Sequence, residues 1–204
     1  MKMTEIQERL SPEMQELSTK LLGLANTSWQ TLKKYTTVSQ ELAKDPFTEP
    51  VKHQATTAEL LLFLLHICDR IASAAFAATV VEESAAMLRQ SFMTGLISAT
   101  VPPFVHAACP DEEDQEETQA DLLHLYNTRA IQYGLFPFGT GKSTDEHEPV
   151  FLVTGMRIAE ALECPDNIDA ILSGTEVIVT MLAELRTNLP LKETIGKLIA
   201  GTKK

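Results

Sequence analysis

Four ionisable side chains interrupt the most apolar stretch of the chain, residues 58–81: Glu59, His66, Asp69 and Arg70. An imidazole beside carboxylates can exchange protons or bind a metal, and a guanidinium can bind an anion. On a helix that turns by about 100° per residue, these four side chains share one arc about 100° wide, and the remaining circumference is apolar. The stretch therefore predicts a helix that is buried on most sides and carries one polar stripe.

A second predicted helix, residues 117–134, carries a charge in the middle of its apolar face. Leu122, Tyr126 and Tyr133 lie within about 40° of one another on this helix, and Arg129 projects from the same face. A charge in such a place needs a partner or a route to water. Arg129 is therefore predicted either to pair with a charge on another element or to extend to the surface.

We expect Arg129 to pair with Asp69 or Glu59, because such a pair would satisfy both the lone charge and the polar stripe. The cluster would line a pocket between residues 58–81 and 117–134, and its guanidinium groups would favour a carboxylate or a similar anion. The opposite interpretation is that the stripe faces solvent and that Arg129 extends to the surface. The candidate ligand-binding residues are Glu59, His66, Asp69, Arg70, Tyr126, Arg129 and Tyr133.

Metal chemistry is a third interpretation of the same helices. Di-metal carboxylate proteins use Glu-x-x-His pairs that project into a helical bundle. This chain offers His66-x-x-Asp69 and Asp121-x-x-His124. Helical spacing directs His124 away from the apolar face of its helix, towards water. We therefore expect neither a metal nor another cofactor.

Residues 139–144, Gly-Thr-Gly-Lys-Ser-Thr, have the look of a phosphate-binding loop. That motif requires a glycine where this chain has Phe136, and Pro149 disrupts the helix that should follow at once. Ordinary turn chemistry explains the two glycines. The chain also has no Gly-x-Ser-x-Gly elbow, so we assign no catalytic residue and lean towards a protein that is not an enzyme.

Composition narrows the classes of partner. The net charge is −11 and the pI is about 4.9, which argues against nucleic acid and against an anionic membrane surface. Asp69 and Arg70 near the middle of residues 58–81 argue against a membrane span. The odd number of cysteines without a C-x-x-C pair, and a start without the apolar core of a signal peptide, predict a cytoplasmic protein.

Helical periodicity predicts an all-α protein, a single-domain bundle of about six or seven helices around residues 58–81. We expect no strand. The predicted order is a flexible lead-in (1–10), a long or kinked N-terminal helix (11–43), a linker (44–56) and a helical core (57–200). Within the core we expect helices at 82–94, 117–134, 149–163, 168–187 and 191–200, with an acidic surface loop at 99–120 and another loop at 136–148.

The N-terminal helix carries the signal that bears most on function. From Leu10 to Leu42, alternating steps of four and three residues meet an apolar side chain at eight of ten positions. This heptad-like stripe is typical of a helix that packs on its own core or on a second copy. We therefore predict a non-enzymatic interaction or adaptor protein that forms a homodimer and binds a protein partner. The alternatives are the anion-binding helical domain and the di-metal protein.

Overall fold

The computed structural model of the protein describes residues 3–136, 149–188 and 190–202. These residues form eight α-helices, one short 3₁₀ helix at Pro46–Thr48 and no strand, so the all-α prediction is confirmed. The helices are α1 (Met3–Leu32), α2 (Thr36–Lys44), α3 (Glu49–Ala77), α4 (Glu82–Ala108), α5 (Glu112–Gly134), α6 (Pro149–Ala161), α7 (Ile168–Asn188) and α8 (Leu191–Thr202).

The contacts divide the chain into two compact units, each assembled from separate segments. The first unit contains Met1–Leu22, Leu64–Leu123 and Asn188–Lys204, and the second contains Gly23–Phe63 and His124–Thr187. Helices α1, α3 and α5 are each divided between the two units, and α7 contributes its last residue, Asn188, to the first unit. The single-domain organisation stays a prediction.

The apolar helix at the centre of the prediction is α3, which starts earlier than expected. It begins at Glu49 and ends at Ala77, so residues 49–56 are its first two turns and not a linker. Pro50 suits the first turn, where a missing N–H costs nothing, and Glu49 lies at the positive end of the helix dipole. All six side chains of residues 60–65 are buried. The stripe of polar residues is therefore set into a helix whose other faces form core.

The helical stretch Pro46–Ala77 is long and apolar enough to cross a membrane by length and composition. About two thirds of its most apolar window, 67%, is buried inside the structure. Burial to this extent is what a core helix of a folded domain requires.

The N-terminal region differs from the prediction in two places. Residues 3–10, where we expected a lead-in before the first helix, belong to α1. The helix breaks at residues 33–35, between α1 and α2, and not near residue 26. Gly23 is exposed with open space around it, so α1 passes through this position without a kink-inducing contact.

The heptad-like stripe is largely used within the chain itself. Leu17, Leu21 and Val38 are completely buried, and Met14 and Leu42 are nearly so. These side chains pack on this chain's own core, so the stripe does not present a continuous apolar surface to a second copy.

Helix α4 continues through Pro102 and Pro103, where we expected a loop. Proline lacks the N–H that would bind the carbonyl four residues earlier, so Pro103 leaves the carbonyl of Ala99 without its helical donor. The Ser18 hydroxyl, which is buried on α1, donates to this carbonyl at 2.8 Å. The neighbouring helix therefore supplies the hydrogen bond that the proline removes. The predicted acidic loop is also helical from Glu112 onwards, with its carboxylates in the first turns of α5.

Helices α6 and α7 match their predicted positions to within two residues and form a helical hairpin. The Cys164 N–H donates to the Ala159 carbonyl and the Glu163 N–H to the Glu160 carbonyl, both at 2.9 Å, which is the Schellman pattern of a helix end. Glu163 has a φ of 61° at the position where glycine is usual. Its carboxylate lies 3.2 Å from the buried ammonium group of Lys52, which fixes the strained turn.

Candidate functional site

Arg129 binds Glu59 through both prongs of its guanidinium, within the second unit. Nε lies 2.9 Å from Oε2 and Nη2 lies 2.5 Å from Oε1. Nη1 donates to Oε1 of Gln132 at 3.2 Å, one turn further along α5. The two charged side chains are only 12% and 8% exposed. The hydrogen bonds to Glu59 raise the pKa of Arg129 despite the burial. One of the two predicted pairs is therefore present.

Aromatic side chains close over this ion pair. Tyr133 is fully buried and meets the ring of Phe63 edge-on, with 5.7 Å between the centroids. Phe151 of α6 meets Phe63 in the same way at 6.3 Å. Burial, followed by the negative charge of Glu59, raises the pKa of the Tyr133 phenol. The phenol therefore stays protonated and acts as a hydrogen-bonding group, not as a base.

Asp69 takes part in a different pair, within the first unit. Arg89 of α4 donates from Nε to Oδ1 and from Nη2 to Oδ2, both at 2.6 Å. Asp69 is buried, whereas the side chain of Arg89 is 53% exposed. Arg89 was missed by the sequence reasoning. Its angular position beside the apolar face of α4, near that of Leu96, is the kind of signal that pointed to Arg129.

His66 lies on α3 with Asp69 and Arg70. Burial and then the positive charge of Arg70 lower its pKa to about 4, although the nearby carboxylate of Asp69 opposes the shift. The imidazole is therefore neutral at pH 7. Arg70 itself is half-buried.

The seven candidate residues therefore separate into two groups. Glu59, Tyr126, Arg129 and Tyr133 belong to the second unit, and His66, Asp69 and Arg70 belong to the first. Tyr126 is half-buried on α5. The sequence correctly placed a carboxylate against Arg129, but it did not separate the partners of Glu59 from those of Asp69.

Both two-pronged pairs neutralise charge instead of leaving it available. A guanidinium that already binds a carboxylate through two hydrogen bonds has fewer N–H donors and less uncompensated charge left for an anionic ligand. Nucleophilic chemistry is not favoured either. Burial, followed by the charge of Asp69, raises the pKa of Cys68 to about 12, so this buried thiol stays protonated and unreactive. The arrangement is that of structural ion pairs.

Metal ligation finds no support in the residues that the structure describes. They contain no group of three or more His, Cys, Asp or Glu side chains that could hold an ion. His124 and Asp121 are exposed on α5. The glycine-rich residues 139–144 lie outside the described part of the chain.

An aromatic stack in the second unit joins Trp29, which is buried, to His53, which is half-buried. The rings of Trp29 and His53 are parallel to within 21° with centroids 5.0 Å apart. The ammonium group of Lys33 lies 5.8 Å from the centre of the Trp29 ring and also forms an ion pair with Glu49. Burial and the charge of Lys33 lower the pKa of His53. Trp29 is the sole tryptophan of the chain, so its fluorescence reports on this one location.

Exposed apolar side chains are concentrated in the second unit. In the part of the chain that the structure describes, ten large hydrophobic side chains are exposed, and eight of them belong to this unit. The eight are Phe47, Val51, Ile131, Leu135, Leu152, Met156, Ile168 and Leu172. The remaining two, Val81 and Met87, are in the first unit. The sequence indicated such a surface on the N-terminal helix, where Met14, Leu17, Leu21, Val38 and Leu42 are instead buried.

Comparison of the chain with protein-family models, with curated proteins and with solved structures gave no match.

Proposed function

We propose that this protein is a non-enzymatic interaction protein that associates with a second copy of itself and binds a protein partner. The observation that carries the proposal is the set of eight large apolar side chains exposed in the second unit. Single exposed apolar residues are normal on any protein, but groups of them mark surfaces that another molecule covers. The free thiols suit a reducing compartment, so the proposal places the protein in the cytoplasm.

Self-association is best supported by Phe47 and Val51. Phe47 lies in the 3₁₀ helix that precedes α3, and Val51 lies four residues later in the first turn of α3; they are 94% and 65% exposed. The charged residues beside them in sequence, Lys44, Asp45 and Glu49, are of both signs. A two-fold contact brings a patch against its own copy, so a surface with mixed charges can complement itself, whereas a surface of one sign repels itself.

Native mass spectrometry together with light scattering on a sizing column tests this proposal. We expect the wild-type protein to be a dimer and Phe47→Glu to be a monomer, because the substitution sets a charge at the centre of the contact. The matched control is Val81→Glu, which adds the same charge at an exposed apolar position in the first unit and should remain a dimer.

Two results would contradict the proposal. A wild-type protein that is monomeric at concentrations of tens of micromolar would contradict the proposed self-association. A mass under gentle conditions that exceeds that of one or two bare chains by the mass of a small molecule, and is lost on denaturation, would favour the anion-binding alternative.

A further inference from the structure

The hairpin of α6 and α7 exposes an apolar set of its own. On α6, Leu152 and Met156 are followed at the same spacing of four residues by Glu160. On α7, Ile168 and Leu172 are followed at that spacing by Glu176. All six residues are exposed. Residues four apart are neighbours on a helix surface, so each helix shows two apolar side chains in a row and then a carboxylate.

The glycines of the hairpin bring these two rows together. A methyl group on Gly155 would come within 2.5 Å of the Ile171 carbonyl oxygen, and one on Gly174 within 3.2 Å of Cα of Gly155. Backbones that approach this closely leave room for flanking side chains to meet over the seam. Gly155 and Ile171 mark where the two helices face each other. Viewed down the axis of α6, Leu152 and Met156 lie about 60° and 100° around the helix from Gly155. Viewed down the axis of α7, Ile168 and Leu172 lie at the same two angles from Ile171.

In a hairpin the two helices run in opposite directions. Side chains at the same angle from the contacting face of each helix therefore point to the same side of the hairpin. Leu152, Met156, Ile168 and Leu172 therefore form one surface, which we name the hairpin strip. Its two members on each helix are roughly 6 Å apart along the axis, since four residues rise by about 1.5 Å each.

We propose that the hairpin strip binds an amphipathic helix of another protein, one that carries Lys or Arg beside its apolar face. The inference deepens the proposed role as an interaction protein and rests on it, but it does not depend on self-association. Helices that lie in apolar grooves use anchors at spacings of three and four residues, which match the two rows of the strip.

Charge identifies the partner. Between residues 149 and 180 the sequence has five acidic residues and one basic residue, Arg157, whose guanidinium is bound to Glu160 at 2.7 Å. Glu160, Asp169 and Glu176 are exposed, and helical spacing sets each of them about 40–60° beyond an apolar member of the strip. An acidic rim attracts a basic helix and repels a second copy of this surface. This distinguishes the strip from Phe47 and Val51, which have neighbours of both signs.

The strip offers four anchoring side chains, which is small for a protein interface. We therefore expect a transient complex with a roughly micromolar Kd and a strong dependence on salt.

A peptide-display selection against the full chain tests the proposal, because it samples many combinations of charge and apolar spacing at once. The library displays random peptides of about 16 residues, long enough for a helix of three to four turns. Selected peptides are synthesised, and their Kd values are measured by fluorescence anisotropy against the wild type and three variants. Leu172→Glu disrupts the strip, Glu160→Gln with Glu176→Gln removes two charges of its rim, and Thr180→Glu adds a charge to an exposed position of α7 off the strip.

We expect peptides with apolar residues three and four apart and a net positive charge. Their affinity should fall at least about tenfold with Leu172→Glu, the loss typical of a central anchor. It should fall a fewfold with the double glutamine variant and stay equal or rise with Thr180→Glu. Circular dichroism of each variant verifies that the helices are intact.

Three results would overturn the inference: no selected binder, binders that are acidic or neutral, or binders whose affinity Leu172→Glu leaves unchanged. These results are distinguishable from a failure of the proposed self-association. The dimer is disrupted by Phe47→Glu and not by Leu172→Glu, so each surface can be lost while the other is retained.

Discussion

Two arginines bind carboxylates of α3 with the same two-pronged geometry, and they differ in burial. Arg129 is 12% exposed against Glu59, and Arg89 is 53% exposed against Asp69. Removing one partner of a buried pair leaves an uncompensated charge, which costs about 3–5 kcal/mol. Arg89→Met also leaves a buried carboxylate, that of Asp69, but it breaks a pair that is half open to water, where ion pairs are weaker. We expect Arg129→Met to lower the free energy of unfolding by more than Arg89→Met.

Urea unfolding measures both variants. The combined change Glu59→Leu with Arg129→Met provides the control, because it removes the orphaned charge and should restore most of the loss. Equal losses for the two single arginine variants would mean that burial does not set the strength of these pairs.

The low pKa of His66 makes stability dependent on pH. The folded chain holds the imidazole neutral down to a pKa of about 4, and the unfolded chain binds a proton near the ordinary value of 6.5. The unfolded state therefore gains protons first as the pH falls, so stability decreases from about pH 6.5 down to about 4. Between pH 7 and pH 5 this group alone removes about 2 kcal/mol.

The corresponding measurement is the urea midpoint at pH 7 and at pH 5, for the wild type and for His66→Gln. The variant should lose less stability over this interval, since glutamine does not titrate. If His66→Gln lost as much stability as the wild type between pH 7 and pH 5, the pH dependence would come from other groups, such as His53.

At this scale the sequence predicted the position of a charge better than its partner. Helical angles placed Arg129 on an apolar face, because that requires only the period of one helix. The choice between Glu59 and Asp69 as its acceptor depends on how α3 and α5 are aligned along their axes. The periodicity of one helix gives no information on that alignment. Arg89 was missed for the same reason.

Among the elements, α4 owes its continuity to a neighbour. The carbonyl of Ala99 loses its helical donor to Pro103 and receives the Ser18 hydroxyl instead. Ser18→Ala would leave this half-buried carbonyl without its donor, so we expect a loss of about 1 kcal/mol. Thr19→Ala is the matched control, because the Thr19 hydroxyl is exposed and binds only its own helix, at the carbonyl of Gln15.

Thermal unfolding of the two variants measures the difference. A Ser18→Ala protein as stable as Thr19→Ala would mean that the carbonyl finds another donor, such as water.

The seam of the α6–α7 hairpin permits no side chain. A methyl on Gly155 would meet the backbone of Ile171 and Oγ1 of Thr175, each at 2.5 Å, so Gly155→Ala should destabilise the protein by about 1–3 kcal/mol or more. Gly23→Ala should instead stabilise the protein. This glycine of α1 has open space around it, and alanine favours a helix by about 0.5–1 kcal/mol over glycine.

Calorimetry of the two alanine variants gives the comparison, with a lower Tm expected for the first and a higher Tm for the second. A Gly155→Ala protein with the Tm of the wild type would contradict the close approach of the two helices.

Sequence patterns located the helices far better than their ends. Helices α6, α7 and α8 were predicted to within two residues because proline, asparagine and glycine stand at their boundaries. The start of α3 was placed eight residues late, although Glu49-Pro50 is itself a good helix start. Prolines signal both the beginning of a helix and its interruption. Helix α4 continues through its prolines with the help of a hydrogen bond from another helix: the Ser18 hydroxyl donates to the Ala99 carbonyl, 81 residues away in the chain.

At the level of the whole molecule, both units share continuous helices. Residues of α1, α3 and α5 belong to both, and helix formation is cooperative along a segment. We therefore expect one unfolding transition. Trp29 belongs to the second unit, so its fluorescence follows that unit, whereas circular dichroism at 222 nm follows all helices.

The two signals should give the same urea midpoint. Midpoints that differ would mean that the units unfold separately, and the free energies from the variants above would then apply to one unit each.

The interleaved order of the segments also affects how the protein is made. Synthesis proceeds at roughly 5–20 residues per second, and a domain generally folds as a unit once its residues are present. The second unit is complete when Thr187 has been added, but the first needs the segment Asn188–Lys204 as well as Met1–Leu22. The segment Met1–Leu22 therefore belongs to the unit whose last segment is synthesised after the second unit is complete. Its apolar side chains can pack on α4 as soon as that helix has been made, as Met14 does beside Gly95, but the segment Asn188–Lys204 follows later. We therefore expect the second unit to reach its folded state before the first during synthesis.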